Sequence, residues 1–588
     1  MPVGNKNNFY SIMNTHYTVE NHVQILISVL KARGIRKVIA SPGTTNIAFV
    51  ASLQSDPYFE MYSAADERSA AYIACGLAAE SGEPVVLTCT GATASRNYYP
   101  ALTEAYYRAL PILAVTSSQV LSHIGQYFPQ MLDRSSVAND VVKYHVSVES
   151  ADTDEQRWNV ENQINTAVLE LFRNGGGPVN INLVTRYSKD FSVKELPKVR
   201  VISRYLPKDE YPEIPVGKIG VYVGSHQKWS DELTMAVDKF CSVHNAVVFG
   251  DHTSNYKGKY KILDALFKQD ECRPAILDWD LMIYIGYVSG EYSSVRAKKV
   301  WRVNPDGELR DVFKTTENIF QTEEIEFFNR YNQGNLGSDS LLKECKDLYD
   351  SIFEKISELP FSNLWCAKQM SQKLPPNSVL HLGILNSLRS WNFFDVPDSV
   401  SVYSNVGGFG IDGDVSSLIG ASLVNKERLY FGVVGDLAFF YDMNSLGNRH
   451  IGKNIRIMII NNGRGTEFRN YMHPAQRFGD DADAYMAAAG HYGNKSPKLV
   501  RHYAEDLGFE YLSANNKAEF ALASERFLTP EITDNPIVFE VFTDSKDESD
   551  ALFTICNIKK NTKNSAKKIV KELIGEKGIQ AVRTVLGV

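Results

Sequence analysis

Short apolar stretches recur along the chain and alternate with longer segments in which apolar positions follow a helical period. Residues 17–33 have the pattern of an amphipathic helix, and residues 37–40 form an apolar strand that ends at a Ser-Pro-Gly turn. Most of the apolar stretches are nearly continuous, which predicts strands buried on both faces. Buried strands separated by helices are typical of parallel sheets covered on both sides, the α/β class. The further predicted strands are residues 84–89, 111–116, 179–183, 219–223, 246–249, 281–285, 378–382, 399–403, 429–434, 455–460 and 537–541, and a further helix is predicted over 97–109.

The length and two polar segments indicate the domain organisation. The chain has 588 residues, too many for one ordinary core. Residues 189–215 contain four prolines, and residues 331–340 are polar and contain glycine, so both have the composition of linkers. We predict three doubly wound parallel-sheet domains, at residues 1–190, 216–335 and 341–560, with a linker at 191–215. The basic tail, 561–588, is predicted to be an amphipathic surface helix, with contact to an anionic membrane or partner as the alternative.

Composition and charge exclude several classes of protein. Hydrophobic residues at 44% and charged residues at 22% describe a soluble globular protein, and the net charge of −7 gives no reason to expect nucleic-acid binding. No apolar run reaches the ~20 residues that span a bilayer, and the N-terminus lacks the apolar core of a signal peptide. Seven scattered cysteines without Cys-x-x-Cys spacing favour a reducing compartment and argue against structural zinc. We therefore expect a cytoplasmic protein.

The pattern that says most about chemistry begins at Gly435. Gly435 lets the backbone approach a phosphate, and Asp436 places a carboxylate at the end of the predicted strand 429–434. Asn462, at the tip of the next strand, can bring an amide oxygen to the same cation. With the main-chain carbonyl of Arg464 and two diphosphate oxygens, these groups nearly complete the octahedral oxygen shell of Mg²⁺. The spacing resembles the fingerprint of thiamine-diphosphate (ThDP) enzymes, but Gly-Asp turns are common after strands and the pattern is weak alone.

A ThDP enzyme also needs a carboxyl group that hydrogen-bonds the pyrimidine ring of the cofactor. Glu67 follows a short strand and precedes a helix of small residues. Its carboxylate is therefore expected in the first turn of that helix, where the macrodipole favours a negative charge. The ordinary interpretation of a single such glutamate is a helix-terminal acid without chemistry. The neighbouring motifs favour the cofactor role.

Several motifs occur in the same order as in one known family. They are Ser41-Pro42-Gly43-Thr44-Thr45-Asn46, Asp66-Glu67-Arg68-Ser69-Ala70, Thr90-Gly91-Ala92-Thr93-Ala94, Asn97-Tyr98-Tyr99-Pro100-Ala101, Ser404-Asn405 with Gly407, Gly410-Ile411-Asp412-Gly413 and Gly435-Asp436-Leu437. Together they closely resemble the SEPHCHC synthases, ThDP-dependent carboligases of menaquinone biosynthesis within the decarboxylase superfamily. The resemblance covers nearly the whole chain. It implies a pyrimidine-binding domain at 1–190, a central domain at 216–335 and a diphosphate-binding domain at 341–560.

The resemblance also implies roles for individual residues. Glu67 matches the glutamate that activates the cofactor, and Asp436 and Asn462 match the metal ligands. Ile411 matches the aliphatic wedge that bends the cofactor into a V, and its β-branched side chain is stiff. Gln130 lies roughly where relatives carry an active-site glutamine, with Gln126 as the alternative. The implied cofactors are ThDP and Mg²⁺, and the implied assembly is an obligate homodimer or a dimer of dimers with the cofactor across a subunit interface. The cofactor-binding segments also include Gly410, Gly435, Leu437 and Ala438.

The chain departs from the family at positions that bind anionic substrates. A family arginine is replaced at Thr44-Thr45, others at Gln119 and Val406, and a Lys-Arg pair by Glu291-Tyr292. These side chains lack the bidentate fork with which arginine binds carboxylates. Each loss is expected to cost about 1.5–3 kcal/mol for a hydrogen bond to a charged group. The candidate substrate-binding residues are Thr44, Thr45, Asn97, Ser387 and Arg389, the last of which could hold one substrate carboxylate.

These observations predict a ThDP- and Mg²⁺-dependent lyase or transferase. It decarboxylates a small 2-oxoacid, and the product is then protonated or transferred to an aldehyde, ketone or sugar acceptor, as in specialised or surface-sugar metabolism. The alternatives are a true SEPHCHC synthase acting on 2-oxoglutarate and isochorismate, and a catalytically silent scaffold. A flavin-bearing acetolactate-synthase type is disfavoured because the middle domain shows no dinucleotide glycine pattern.

Overall fold

The computed structural model describes residues 15–269, 274–290, 295–334, 337–491 and 496–558. The chain forms two compact units, the first made of Met1–Glu210 with Gly307–Gln321 and the second of Tyr211–Asp306 with Thr322–Val588. The predicted C-terminal helix at 561–588 and the substituted pair Glu291-Tyr292 lie outside the described residues. In the described part of the chain, no helix has the length and apolar character needed to cross a membrane.

The first unit contains a six-stranded parallel sheet in the order β2-β1-β3-β4-β6-β5. Its strands are β1 (Lys37–Ala40), β2 (Glu60–Ser63), β3 (Val85–Cys89), β4 (Ile112–Ser118), β5 (Tyr144–Val148) and β6 (Val179–Val184). Its helices are α1 (Asn21–Ala32), α2 (Ile47–Gln54), α3 (Glu67–Ser81), α4 (Ala92–Asn97), α5 (Tyr99–Tyr107) and α6 (Asp154–Glu170).

Helices cover both faces of this sheet. Val86 and Leu113 pack with α1, α2 and α6 in one buried cluster, whereas the neighbouring Val85 and Ile112 pack with α3 and α5 in another. Successive side chains of a strand point to opposite faces, so strands covered on both sides must be apolar at consecutive positions. The near-continuous apolar runs of the sequence follow from this arrangement.

The middle of the chain adds a second set of parallel strands. The elements are β7 (Ser203–Tyr205), β8 (Ile219–Val223), α7 (Asp231–His244), β9 (Val247–Gly250), β10 (Lys261–Leu263), β11 (Asp278–Ile285), β12 (Arg296–Val303), β13 (Thr316–Phe320) and α8 (Glu324–Tyr331). Within the second unit the strands lie in the order β10-β9-β8-β11-β12, and within the first unit β13 pairs with β7.

The remainder of the second unit contains another six-stranded parallel sheet, in the order β15-β14-β16-β17-β19-β18. Its strands are β14 (Val379–Leu382), β15 (Ser401–Tyr403), β16 (Tyr430–Gly435), β17 (Ile455–Asn461), β18 (Glu510–Ala514) and β19 (Ile537–Phe542). The helices are α9 (Ser340–Phe353), α10 (Asn363–Met370), α11 (Asn386–Asn392), α12 (Asp414–Ser422), α13 (Asp436–Asp442), α14 (Leu499–Asp506), α15 (Lys517–Phe527) and α16 (Ser545–Cys556). The predicted class, α/β with three parallel-sheet domains, is confirmed.

The helix predicted over residues 97–109 is present but shorter than expected. It is α5, which begins at Tyr99 with Pro100 in its first turn and ends at Tyr107, after the separate helix α4 ends at Asn97. Proline lacks an N–H and clashes with the preceding turn, so it begins a helix more readily than it continues one.

The predicted linker 191–215 takes part in ordered structure. It contains β7, and Val193 pairs with Tyr17 in an isolated antiparallel bridge. Asn165 of α6 donates to the Arg200 carbonyl at 2.9 Å and accepts from the Ile202 N–H at 2.9 Å. This segment is therefore attached along α6 of the first unit, while the domain boundaries stay a prediction.

Candidate functional site

A cleft of about 120 Å³ lies at the carboxyl edge of the third sheet, where the order of strands reverses between β14 and β16. Open α/β sheets bind ligands beyond the carboxyl ends of their strands at such a switch point. Gly383 follows β14, Asp436 follows β16 and Asn462 follows β17, so three strand ends contribute to the cleft. The predicted motifs meet here because neighbouring parallel strands end at the same edge.

The Asp436 carboxylate is buried and held in one orientation. Oδ1 accepts from the Leu437 N–H at 2.9 Å, and Oδ2 accepts from the Gly463 N–H at 2.9 Å. The Nε2 atom of His491 lies 3.3 Å from the same Oδ2. His491 was not anticipated, and its position 55 residues downstream gives no local signal of this contact.

Asn462 has a buried side-chain oxygen with no hydrogen-bond partner among the described residues. It lines the cleft beside Asp436 and the backbone of Arg464, whose side chain is paired with Asp483 at 2.6 Å. A buried acceptor without a partner is costly, and a cation would satisfy it. The arrangement fits Mg²⁺, which binds oxygen ligands from a few protein groups and phosphates.

Gly435 provides room in the same cleft. A Cβ atom built at this position meets no atom of the described residues within 4 Å, and the φ of −73° at Gly435 is accessible to any residue. Neither packing nor backbone conformation therefore requires glycine here. A side chain would instead extend into the open space of the cleft, where a diphosphate is predicted.

The other predicted cofactor-binding residues of the second unit lie at this cleft or beside it. Ile411 begins a short 3₁₀ helix after Gly410 and lines the cleft while packing partly on the core beneath. Leu437 and Ala438 line it from α13. Ser387 also lines it, but its hydroxyl is buried and accepts from Asn363 Nδ2 at 3.1 Å.

Two carboxyl groups in the cleft were not anticipated, Asp414, which is buried, and Glu548, which is half-buried. Burial raises the pKa of Asp414 to about 7, and the nearby Asp442 carboxylate acts in the same direction. Burial also raises the pKa of Glu548 to about 7, although hydrogen bonds from Thr543 and the Asn363 N–H favour its ionised form. A protonated carboxyl avoids repelling a bound diphosphate. Glu548 lies on α16, far along the chain from Asp436, so no motif marks it.

Glu67 is the first residue of α3, as expected. The helix is capped by Asp66, whose Oδ1 accepts from the Arg68 and Ser69 N–H groups at 2.8 and 3.1 Å. Glu67 is therefore not needed as the cap. Its half-buried carboxylate accepts from Nδ2 of Asn97, another predicted site residue, at 3.4 Å.

The two threonines in the turn after β1, where the family carries an arginine, differ in exposure to solvent. Thr44 is exposed, whereas Thr45 is buried and joins three strand ends of the first unit. The Oγ1 atom of Thr45 lies 2.6 Å from Thr90 Oγ1, donates to the Ser117 carbonyl at 3.0 Å and accepts from the Gly91 N–H at 3.2 Å. These contacts give Thr45 a structural role.

Gln130 and Gln126 both lie on an exposed loop of the first unit, so both stay candidates for the predicted active-site glutamine. Gln130 has a φ of +64°, which is uncommon for a residue with a side chain. In the same loop His123 stacks on Phe128 with ring centroids 3.9 Å apart. Backbone strain often occurs in functional loops.

Arg389 lies on α11 and is paired with Glu467. Nη1 donates to Oε2 at 2.7 Å and Nη2 donates to Oε1 at 3.2 Å. Glu467 was not anticipated as a partner, because it lies 78 residues further along the chain. Arg389 remains a predicted substrate residue, but its fork is already engaged by a carboxylate.

The second unit thus brings together the predicted metal and diphosphate residues, while Glu67, Asn97, Thr44, Thr45 and Gln130 belong to the first unit. Residues 20–137 match a family model described as the N-terminal TPP binding domain of thiamine pyrophosphate enzymes. The matched segment includes Glu67 and the turn at Thr44.

Similarity to individual proteins extends over most of the chain. The chain is 29% identical over 554 residues to a 2-succinyl-5-enolpyruvyl-6-hydroxy-3-cyclohexene-1-carboxylate synthase of Bacteroides fragilis, an alignment covering 91% of this chain and 98% of the relative. The corresponding synthase of Bacteroides thetaiotaomicron is 29% identical over 563 residues with the same coverage. That of Flavobacterium johnsoniae is 26% identical over 550 residues, 88% of this chain and 95% of the relative.

Proposed function

Because this chain belongs to the thiamine-diphosphate-dependent enzyme superfamily, close to the SEPHCHC synthases, we propose that it uses ThDP and Mg²⁺ to decarboxylate a small 2-oxoacid. The product is released after protonation or transferred to an acceptor. The observation that carries the metal and cofactor assignment is the buried Asn462 oxygen, which has no hydrogen-bond partner in the part of the chain that the structure describes and lies beside the oriented Asp436 carboxylate.

Bound ThDP would supply a nucleophilic carbon for the keto group of the substrate and accept the electron pair released as CO₂ leaves. The residues of this chain bind and orient. Asp436, Asn462 and the Arg464 carbonyl would hold Mg²⁺, and Ile411 would contact the bound cofactor from the wall of the cleft. Glu67 would hold a proton against the pyrimidine ring.

The experiment measures CO₂ release from a panel of 2-oxoacids, including pyruvate, 2-oxoglutarate and phosphonopyruvate, with ThDP and Mg²⁺ present. Glu67→Gln is expected to lower release at least about 100-fold, the lower range for loss of a proton-transferring group. Glu80→Gln is the matched control, because Glu80 is an exposed glutamate at the far end of the same helix. Equal activity of Glu67→Gln and wild type would contradict the proposal.

A second candidate is SEPHCHC synthesis from 2-oxoglutarate and isochorismate, favoured by the activity for which the relatives are named. The pairing of Arg389 with Glu467 and the burial of Val406 argue against two multiply anionic substrates. Product formation from that substrate pair would favour the second candidate. Absence of CO₂ release from every donor, with and without isochorismate, would favour the silent scaffold.

We propose a homodimer or a dimer of dimers as the working form. The exposed face of α3 next to Glu67 carries Tyr72 and Ile73, which are 48% and 52% exposed. Large apolar side chains on a surface often mark an interface. Light scattering on the full chain tests the assembly, and a monomer with full activity would exclude it.

We also propose a cytoplasmic location. The proposal rests on the seven scattered cysteines of the sequence, whose spacing without a Cys-x-x-Cys motif favours a reducing compartment.

A further inference from the structure

A second cavity of about 410 Å³ adjoins the diphosphate cleft in the same unit. Leu385 and Glu467 line both spaces, so the cavity opens beside the place where the cofactor is proposed to bind. Much of its wall is apolar, including Phe393, Phe409 and Phe553. Its size is within the range of sites for small organic molecules.

The polar groups at the shared wall form a closed network. The Arg389 guanidinium and the Glu467 carboxylate make two parallel hydrogen bonds, at 2.7 and 3.2 Å. Asn470 Nδ2 donates to Glu467 Oε2 at 3.0 Å, and Arg389 Nη1 donates to Asn386 Oδ1 at 3.3 Å. Positive and negative charge are balanced within the pair.

This pair determines what can bind at Arg389, while Lys268 is a further cation that lines the cavity. A substrate carboxylate could use the Arg389 fork only by displacing Glu467. That displacement would leave the half-buried Glu467 carboxylate without its partner, which costs free energy. It would also place this carboxylate next to the negative charge of the substrate, and the two would repel each other. An uncharged ligand leaves the pair intact and gains from burial of its apolar surface.

The cavity also offers a donor for a neutral oxygen. His473 lines it, and Nδ1 of His473 accepts from the Ala475 N–H at 3.1 Å. In a neutral imidazole the proton is then on Nε2. A carbonyl oxygen is a suitable acceptor for that N–H group.

We propose that this cavity binds the acceptor substrate, an uncharged aldehyde or ketone with an apolar body, and that Glu467 keeps carboxylates from binding Arg389. The inference rests on the proposed function and names its acceptor class. In the reaction the bond between the carboxylate and keto carbons of the 2-oxoacid breaks and CO₂ leaves. A carbon–carbon bond forms to the acceptor carbonyl carbon, whose oxygen takes up one proton, giving a 2-hydroxyketone.

The test compares two inert probes of the same shape, benzamide and benzoate, by calorimetric titration of the full chain loaded with ThDP and Mg²⁺. Wild type is expected to bind benzamide at least about ten-fold more tightly than benzoate, the effect of one well-placed charge. Glu467→Gln keeps the shape and removes the charge. Benzoate affinity is then expected to rise about ten-fold while benzamide affinity changes little.

The control variant is Glu510→Gln, which breaks a comparable two-bond pair with Arg526 elsewhere in the second unit. It is expected to leave both affinities unchanged. A wild-type preference for benzoate, failure of both probes to bind, or the same probe preference in Glu467→Gln as in wild type would overturn the inference. If Glu467→Gln does not fold, the comparison of benzamide and benzoate affinities of the wild-type protein still tests the inference. Because binding is measured without turnover, a failed CO₂ assay and a failed probe preference are separate results.

Discussion

Replacing Glu548 by glutamine is expected to change how stability depends on pH. Glu548 is half-buried on α16 and lines the cleft that contains Asp436, where its two oxygens accept from the Asn363 N–H at 3.0 and 3.1 Å. Burial raises its pKa from 4.5 to about 7. The substitution removes the titrating proton but retains an oxygen that can accept from Asn363.

The sign follows from the proton balance. Between pH 4.5 and about 7 the unfolded chain has lost the Glu548 proton and the folded chain retains it. Folding therefore takes up a proton, and the free energy of unfolding falls as pH rises through this window, levelling above it. The rise in pKa corresponds to a loss on the order of 3 kcal/mol between the two ends of the window. Glu548→Gln has no such loss at this site, so its stability relative to wild type should increase with pH.

The assay is thermal unfolding without ThDP or Mg²⁺, from pH 5 to 8.5, for wild type and Glu548→Gln. The midpoint of the variant relative to wild type should rise by several degrees across the range. Asp414, whose pKa is also raised to about 7 by burial, leaves a residual slope of the same sign in both proteins. Glu525→Gln, at an exposed position of α15, is the control. The difference between its unfolding midpoint and that of wild type should be the same at every pH. If the midpoint difference for Glu548→Gln is also independent of pH, the reasoning is refuted.

Three further predictions concern single side chains. Asn462→Ala should weaken ThDP binding in Mg²⁺ by at least about ten-fold without lowering the unfolding midpoint of the cofactor-free protein, because it removes a proposed metal ligand whose oxygen has no hydrogen-bond partner among the described residues. Calorimetry checks the affinity, and unchanged affinity of the variant, or equal affinity of wild type in EDTA, would contradict the metal site. Gly435→Ala should also weaken ThDP binding while leaving the cofactor-free protein as stable or up to about 1 kcal/mol more stable, and a loss of stability would show that packing requires glycine. Thr45→Val should destabilise the protein by about 1–3 kcal/mol, because the Gly91 N–H loses its acceptor, whereas Thr44→Val should have little effect; equal unfolding midpoints of the two variants would count against the structural role of Thr45.

The patterns that predicted the fold are local. Strands β3, β4 and β17 are buried at every position and mostly apolar. For β3 and β4 the reason is that helices cover both faces of the sheet, so the class could be read without knowing which helices do so. Helix α4 was not predicted because its six residues are mostly small or polar. Strand β5 was missed because its positions are mostly half-buried and partly polar.

The pattern of strand ends is enough to predict that Asp436 and Asn462 lie together, because parallel neighbours finish at one edge. The sequence by itself therefore determined the class, the cofactor motifs and the positions of their side chains along the chain. The tertiary structure decided which groups surround them. Glu548 approaches the cleft from α16, Glu467 occupies Arg389 across 78 residues, and Thr45 turns inward while Thr44 stays exposed. Those partners, and the pKa values that burial produces, depend on contacts between distant segments, which no local pattern encodes.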